Sequence, residues 1–193
     1  MRIVLWALVA VAAVGAVMLW KQASPPPSPM SEALGSIGGP FTLTGSDGKP
    51  FSSTELNGKP AAIFFGFTHC PDVCPTTLAR LTKLRRELGK GNEAFSIVFI
   101  SVDPGRDTPA EIGNYLQLFD TPVVGLTGTQ AQIDQVKKQY GIYSRKVAQP
   151  EGGYSVDHTA AVLLMDRNGQ FVATLSPEEG NSVALDKLRR ISA

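Results

Sequence analysis

Two long apolar runs mark the predicted central strands. Residues 61–67 and 95–102 are almost continuously hydrophobic and have the length of strands. A strand with one face in water alternates between polar and apolar residues, whereas a continuous apolar run is typical of a strand covered on both faces. Both segments are therefore predicted to lie at the centre of a sheet that helices cover.

Helical periodicity follows the first of these runs. Four leucines recur at spacings of three and four residues, which predicts an amphipathic helix that Gly89 ends. They are Leu78, Leu81, Leu84 and Leu88. The other predicted elements are helices over residues 108–119 and 129–140, a short strand over residues 123–126 and a carboxy-terminal helix that ends near Arg190.

Two turn dipeptides predict hairpins. Asp47-Gly48 joins two short apolar stretches, and Asn168-Gly169 joins the last two predicted strands. After the first hairpin, the predicted order of elements is β-α-β-α-β-α-β-β-α. Alternating strands and helices predict an α/β fold, and a terminal hairpin makes the sheet mixed. The sequence thus predicts a thioredoxin-like mixed sheet flanked by helices, with an amino-terminal hairpin.

An uncharged segment opens the chain and predicts a single amino-terminal transmembrane anchor over residues 1–21. Residues 3–20 lie between Arg2 and Lys21 and carry no charge. As a helix they would span roughly 27 Å, enough to cross a bilayer. A cleaved signal peptide is the alternative, but its apolar core is usually shorter and ends in small residues. Here the run ends in a methionine, a leucine and a tryptophan, so we favour an anchor.

The rest of the chain is predicted to form a stalk and one domain. Residues 22–37 are rich in proline and serine, which favours an extended, solvated linker. Residues 38–193 are long enough for one domain with its own core and contain no internal repeat. The formal net charge is +1, and the 18 basic and 17 acidic residues are spread along the chain. Without a basic patch, a nucleic acid is not expected as a partner.

The two cysteines, Cys70 and Cys74, lie together between a predicted strand and a predicted helix. Three residues separate them, one more than in thioredoxin-type redox motifs, and such a pair can bind a soft metal ion. Pro75 suits the first position of a helix, so Cys74 is predicted to be the cap residue, with its thiolate favoured by the helix dipole. A structural disulfide is the alternative, although closing so short a loop stabilises a fold by only roughly 2 kcal/mol.

His158 is the predicted third ligand. It ends a polar, glycine-containing loop just before a predicted strand over residues 161–165, and that loop faces the cysteine turn in a thioredoxin-like sheet. His69 is a poorer candidate, because in extended chain its side chain points away from that of Cys70. Asp157 either orients the imidazole or caps the loop. Thiolates with an imidazole suit copper, whereas zinc usually takes a fourth ligand.

Six short motifs follow one another along the chain. They are Phe65-Gly66-Phe67-Thr68, Cys70-Pro71-Asp72-Val73-Cys74-Pro75, Ser101-Val102-Asp103-Pro104, Arg106-Asp107-Thr108-Pro109, Leu126-Thr127-Gly128 and Val156-Asp157-His158. In this order they resemble the Sco/SenC family of copper proteins, and the resemblance covers residues 38–175.

This resemblance implies a copper metallochaperone rather than an enzyme. By position, Cys70, Cys74 and His158 match the copper ligands of the family. Family members are described with both Cu(I) and Cu(II), so the resemblance implies copper in either or both of these oxidation states, and it implies a cysteine pair that can oxidise to a disulfide. The implied destination is the CuA site of cytochrome c oxidase, so the implied partners are the CuA-bearing subunit and another copper chaperone. The implied location is the bacterial cytoplasmic (inner) membrane, with a single pass and the domain in the periplasm.

The third and fourth of these motifs contain three charged residues, Asp103, Arg106 and Asp107. Their simplest physical role is a charge pair and a helix cap at the start of the helix that Thr108 and Pro109 open. We therefore expect these residues to support the fold rather than to take part in chemistry.

Three other functions would use the same cysteines. A thiol-disulfide oxidoreductase would act on the cysteines of the CuA site or of another extracytoplasmic protein. Ala160 and Ala161 stand where thioredoxin relatives usually carry a cis-proline, which favours metal binding. A thiol peroxidase is disfavoured, because Pro71 stands where that family has a threonine three residues before its cysteine. A redox or copper sensor would share every one of these residues.

Overall fold

The structure is a computed structural model that describes residues 37–150 and 152–192, together with Trp6. The predicted anchor and stalk lie outside the described residues, apart from Trp6 and Ile37. Within the described part of the chain, no helix combines the length and the apolar character needed to cross a membrane.

The described residues form nine strands and four α-helices in chain order. The strands are β1 (Thr42–Gly45), β2 (Pro50–Ser52), β3 (Ala61–Gly66), β4 (Ser96–Ser101), β5 (Val124–Thr127), β6 (Ser144–Ala148), β7 (Tyr154–His158), β8 (Val162–Met165) and β9 (Phe171–Leu175). The helices are α1 (Val73–Glu87), α2 (Pro109–Leu116), α3 (Gln130–Gln139) and α4 (Asn181–Ser192). Short 3-10 helices cover Ser53–Leu56 and Gly91–Glu93.

Seven of the strands form one mixed sheet in the order β2-β1-β5-β4-β3-β8-β9. Strands β3, β4 and β5 are parallel, and the remaining neighbours are antiparallel. The predicted thioredoxin-like α/β plan, the amino-terminal hairpin and the final hairpin are therefore confirmed. The turn glycines Gly48 and Gly169 have φ values of +79° and +72°, which explains why each turn carries a glycine.

The core lies on both faces of the central strands. Every residue of β3 is buried, as are five of the six residues of β4, which confirms that both apolar runs form central strands. Leu78, Leu81 and Leu84 are buried on α1. Polar side chains start the next two helices: Thr108 accepts from the Glu111 N–H, and Thr129 forms a capping box with Gln132.

Strands β6 and β7 form a separate two-stranded antiparallel hairpin that the sequence analysis did not predict. The prediction that residues before His158 form a loop is wrong, because Tyr154–His158 is the second strand of this hairpin. The hairpin could not be told from a loop in the sequence, because all of its side chains except that of Val156 remain at least partly exposed. Its turn also contains Gly152 and Gly153, both with positive φ, and two adjacent glycines are typical of loops. Below, β6 and β7 together are called the β6–β7 hairpin.

Candidate metal centre

The cysteine pair lies where the carboxyl end of β3 passes into α1. The predicted start of this helix is wrong by two residues: α1 begins at Val73 with Asp72 as its cap, so Cys74 lies within the first turn. The Thr76 N–H donates to the Asp72 carbonyl over 3.1 Å, which closes the first turn early. The Cys74 N–H then points to the Cys70 Sγ at 3.4 Å, so the helix start stabilises the other sulfur.

The two thiols differ in their readiness to ionise. Donation from the Cys74 thiol lowers the pKa of Cys70 to about 3 against an opposing effect of burial, with smaller contributions from His158 and from backbone N–H groups. The same hydrogen bond, followed by complete burial, raises the pKa of Cys74. The prediction that Cys74 is the favoured thiolate is therefore wrong, and Cys70 ionises first. Both cysteines are free thiols in the structure.

Limited alkylation of the reduced, metal-free protein is expected to modify Cys70 well before Cys74. Cys70 is partly exposed and its pKa is lowered to about 3, so it stays a thiolate at pH 5, whereas Cys74 is buried with a raised pKa. Iodoacetamide labelling at pH 5 and pH 7, with fragment mass spectrometry to locate the label, measures this order. Equal labelling of both sulfurs, or a Cys70 rate that falls about tenfold per pH unit below pH 8, would contradict it.

His158 reaches the cysteines from the end of β7, 84 residues after Cys74 in the chain. Its Nε2 lies 3.6 Å from the Cys74 Sγ. Its Nδ1 lies 3.0 Å from the Thr159 carbonyl oxygen, and because a carbonyl only accepts, Nδ1 must carry the proton. The tautomer with the proton on Nδ1 has its lone pair on Nε2, which faces the sulfurs, as a metal ligand requires.

Two phenylalanines hold the imidazole of His158. The Phe67 ring stands at 89° to it with the centroids 5.7 Å apart, and the Phe64 ring stands at 64° with the centroids 6.1 Å apart. These edge-on contacts leave the ring few orientations. Phe67 belongs to the first motif of the family resemblance, but no role could be assigned to it from the sequence, because an aromatic residue at the end of a buried strand is the ordinary pattern of a core residue.

Gly66 makes room for the buried sulfur. A Cβ at this position would lie 2.9 Å from the Cys74 Sγ and 2.8 Å from the Phe99 ring. Such contacts are too short for any substitution to be accommodated without displacing the sulfur or the ring. The glycine between two phenylalanines is therefore required by the placement of Cys74 and not by a special backbone angle.

The structure brings all three predicted ligands together. One ligand atom from each of Cys70, Cys74 and His158 lies within 4.8 Å of the others, and this is the one such group with three or more ligating side chains found among the described residues. Two sulfurs and one imidazole nitrogen fit a soft or borderline ion such as copper. His69 lies outside the group: its Nδ1 contacts the Thr68 hydroxyl at 3.0 Å, and its side chain is half exposed.

Asp157 does not orient the imidazole. Its carboxylate accepts from Arg145 over 3.2 Å, both side chains are exposed, and the Thr159 carbonyl holds the Nδ1 of His158 instead. Neither of the two roles considered for Asp157 is found, since the residue lies within β7 and not at a loop end.

Asp107 supports the turn before the cysteines. It is completely buried, and its carboxylate accepts from the Thr68 N–H at 3.0 Å, from the Thr68 hydroxyl at 2.7 Å and from the Ser101 hydroxyl at 2.6 Å. The cap of α2 is Thr108, with Pro109 following it, so Asp107 does not cap the helix. Its role is to fix the carboxyl ends of β3 and β4 relative to each other.

Asp103 and Arg106 form the predicted charge pair, and they also contact the β6–β7 hairpin. The Arg106 Nε lies 2.5 Å from the Asp103 carboxylate, and the Tyr154 hydroxyl donates to the same carboxylate over 2.9 Å. Burial alone would raise the pKa of Asp103, but Arg106, Tyr154 and Lys146 together hold it below its ordinary value. Tyr154 was missed by the sequence analysis, because nothing in its local pattern indicates that it meets residues about 50 positions earlier.

The family model SCO1/SenC matches residues 30–193. The mitochondrial protein SCO2 of Saccharomyces cerevisiae is 42% identical over 164 residues, which are 82% of this chain and 54% of that protein. The chain spans about half the length of the first curated relatives it matches.

Solved structures match the fold over most of the chain. Copper-bound ScoI of Bradyrhizobium japonicum has a TM-score of 0.73 and 46% identity, over 80% of this chain and 99% of that one. BsSco has a TM-score of 0.65 and 26% identity, over 82% of this chain and 95% of that one. BsSco is described as a member of the Sco family of cytochrome c oxidase assembly proteins in which a disulfide switch was identified.

Proposed function

Because this chain belongs to the SCO1/SenC family, we propose that it binds one copper ion through Cys70, Cys74 and His158 and delivers it to the CuA site of cytochrome c oxidase. The observation that carries the proposal is the convergence of these three ligand atoms within 4.8 Å of one another. The copper-bound structure of a relative with 46% identity supports the choice of metal. The assembly function of BsSco supports the choice of recipient.

The donor set explains why such a carrier can both hold and release copper. Cu(I) accepts few ligands and prefers thiolates, so Cys70 and Cys74 suffice to hold it, and the imidazole of His158 adds a ligand that Cu(II) favours. Cys70 is half-buried and Cys74 is buried, so an incoming thiolate from a recipient would reach the ion from the Cys70 side. Ligand exchange then moves the ion without turnover of a substrate.

We also propose a cellular location and two partners for this protein. The uncharged segment over residues 3–20 would anchor the chain by a single pass in the bacterial cytoplasmic membrane, and the domain would face the periplasm. The partners would be the CuA-bearing subunit of the oxidase and a second copper chaperone that loads this one.

Copper titration of the full chain in detergent tests the proposal. Under anaerobic conditions the reduced protein is expected to take up one Cu(I) per chain. Two equivalents of the loaded protein are expected to transfer their copper to the metal-free CuA-bearing subunit, which should then show the CuA absorption spectrum once a one-electron oxidant such as ferricyanide is added. Copper binding without transfer would overturn the delivery function, and failure to bind copper would overturn the metal site.

Thiol-disulfide exchange is the second candidate function, and one observation favours it. Cys70 pairs a strongly lowered pKa with partial exposure next to a buried thiol, which is the arrangement of an attacking and a resolving cysteine. Rapid reduction of insulin or of an oxidised CuA-site peptide by the metal-free protein, with no copper uptake, would favour this function over copper delivery.

A further inference from the structure

The attachment of the β6–β7 hairpin decides where His158 lies. The hairpin is a sheet of its own, and no ladder joins it to the seven-stranded sheet within the described ranges. Its base is closed by backbone contacts: the Thr159 N–H donates to the Tyr143 carbonyl, and the Tyr143 N–H donates to the Thr159 hydroxyl, each over 3.0 Å. The other end, where Ala148 pairs with Tyr154, must be held by side chains.

Arg106 holds that other end. Its Nη1 donates to the Tyr154 carbonyl over 2.9 Å, and its guanidinium lies 3.8 Å from the centroid of the Tyr154 ring. Its Nε contacts Asp103, and the Tyr154 hydroxyl donates to the same carboxylate over 2.9 Å. Arg106 thus binds both the backbone and the ring of Tyr154, four residues before His158 on the same strand.

The Arg106 guanidinium also lies beside Phe67, the ring that packs against the imidazole of His158. It lies 5.9 Å from the centroid of the Phe67 ring, and Phe67 is the ring that stands perpendicular to His158. Arg106 is therefore packed between the strand that carries the histidine and the aromatic ring against which the histidine rests. No other residue combines these two contacts among the cation–aromatic pairs of the described chain.

We infer that Arg106 is a positioning residue that fixes the His158 imidazole over the cysteine pair and so tunes the site toward Cu(II). The inference rests on the proposed function. Cu(II) favours the imidazole nitrogen, whereas Cu(I) is held adequately by two thiolates. Loss of Arg106 should therefore weaken Cu(II) binding more than Cu(I) binding, because only the histidine loses its support.

Charge alone does not account for the role of Arg106. Lys146 lies 3.4 Å from the Asp103 carboxylate and 4.4 Å from the Tyr154 ring, so a cation remains beside Asp103 when Arg106 is removed. A lysine at position 106 would keep the charge, but it lacks the planar, forked group that stacks on Tyr154 and donates at two places. The Arg106→Lys variant therefore distinguishes the effect of the guanidinium geometry from the effect of its positive charge.

Three variants of the full chain test the inference. Arg106→Ala is expected to speed Cu(II) dissociation about tenfold, the lower end of what loss of a ligand-supporting contact causes. Arg106→Lys is expected to have nearly the same effect. Arg145→Ala is the matched control, because it removes an arginine of the β6–β7 hairpin that only meets Asp157 at the surface; its effect should stay below about twofold.

The readouts distinguish positioning from general stability. Nitrogen coupling in the electron paramagnetic resonance spectrum of the Cu(II) protein should weaken in both Arg106 variants, while Cu(I) affinity changes by less than about threefold. Wild-type nitrogen coupling and wild-type Cu(II) dissociation in the Arg106 variants would overturn the inference. Equal losses for Cu(I) and Cu(II) would overturn it as well, because a merely destabilised fold affects both. If Arg106→Ala does not fold, Arg106→Lys decides by the same criteria.

A copper-free measurement keeps this inference separate from the proposed function. In the metal-free protein, the long-range 1H–15N spectrum of His158 should show one tautomer, protonated at Nδ1, and this signal should broaden or shift in Arg106→Ala but not in Arg145→Ala. An unchanged signal in Arg106→Ala overturns the positioning role even if copper binds. A wild-type protein that shows this signal but takes up no copper overturns the proposed function instead.

Discussion

Cys74→Ser is expected to lower the Cu(I) affinity of the reduced protein by at least roughly a thousandfold. The substitution replaces a soft thiolate with a hydroxyl that does not ionise, at the position whose sulfur lies 3.6 Å from the His158 Nε2. Cys70 alone with an imidazole is a weak site for Cu(I). Competition with a chelator of known affinity measures the change.

An alanine at the same position tests which sulfur depends on which. Cys74→Ala removes the donor that is the main cause of the lowered pKa of Cys70, so alkylation of Cys70 at pH 5 should slow. In Cys74→Ser the hydroxyl can still donate to Cys70, so that variant tests the metal site alone. The apo protein should remain folded, because serine is close to cysteine in volume. A Cys74→Ser protein that keeps wild-type Cu(I) affinity would eliminate the proposed metal site.

Asp107→Ala is expected to reduce the free energy of unfolding by roughly 3–4 kcal/mol. The buried carboxylate accepts three hydrogen bonds from Thr68 and Ser101, and its removal leaves three donors without an acceptor at a site that water does not reach. Urea unfolding monitored by circular dichroism measures the loss. Because Thr68 leads directly into the cysteine segment, copper affinity should fall along with stability.

Two further variants control for charge and size. Asp120→Ala removes an exposed carboxylate and should change stability by less than about 0.5 kcal/mol. Asp107→Asn keeps the size of the side chain but puts an amide NH2 group against hydroxyl and N–H donors, so it should recover only part of the loss. Wild-type stability in Asp107→Ala would refute the assigned role of this carboxylate.

The hydrophobic pattern was enough to predict most of the sheet. The apolar runs that became β3 and β4 are buried over nearly their whole length, and the leucine spacing of α1 matches its buried face. The cysteine pair and His158 could be singled out because the chain has only two cysteines and two histidines. Their convergence follows from the position of ligand sites beyond the carboxyl ends of strands.

What the sequence did not predict depends on contacts between distant residues. The β6–β7 hairpin carries mostly polar residues, so no periodicity separates it from a loop. The order in which the thiols ionise depends on the burial of Cys74 and on the direction of one hydrogen bond, and neither is encoded in the spacing of the two cysteines. The contact of Arg106 with Tyr154 joins residues 48 positions apart.

The long separation between Cys74 and His158 has a thermodynamic consequence. In the denatured chain the two cysteines remain four residues apart and still capture copper, whereas the imidazole 84 residues away is lost to chain entropy. By mass action, an ion stabilises the native state only through the ratio of its affinities for the two states. Cu(I), which needs the sulfurs alone, should thus raise the melting temperature little. Cu(II), which gains the His158 imidazole only after folding, should raise it more in a His69→Ala chain, where no imidazole stands beside the cysteines of the denatured chain.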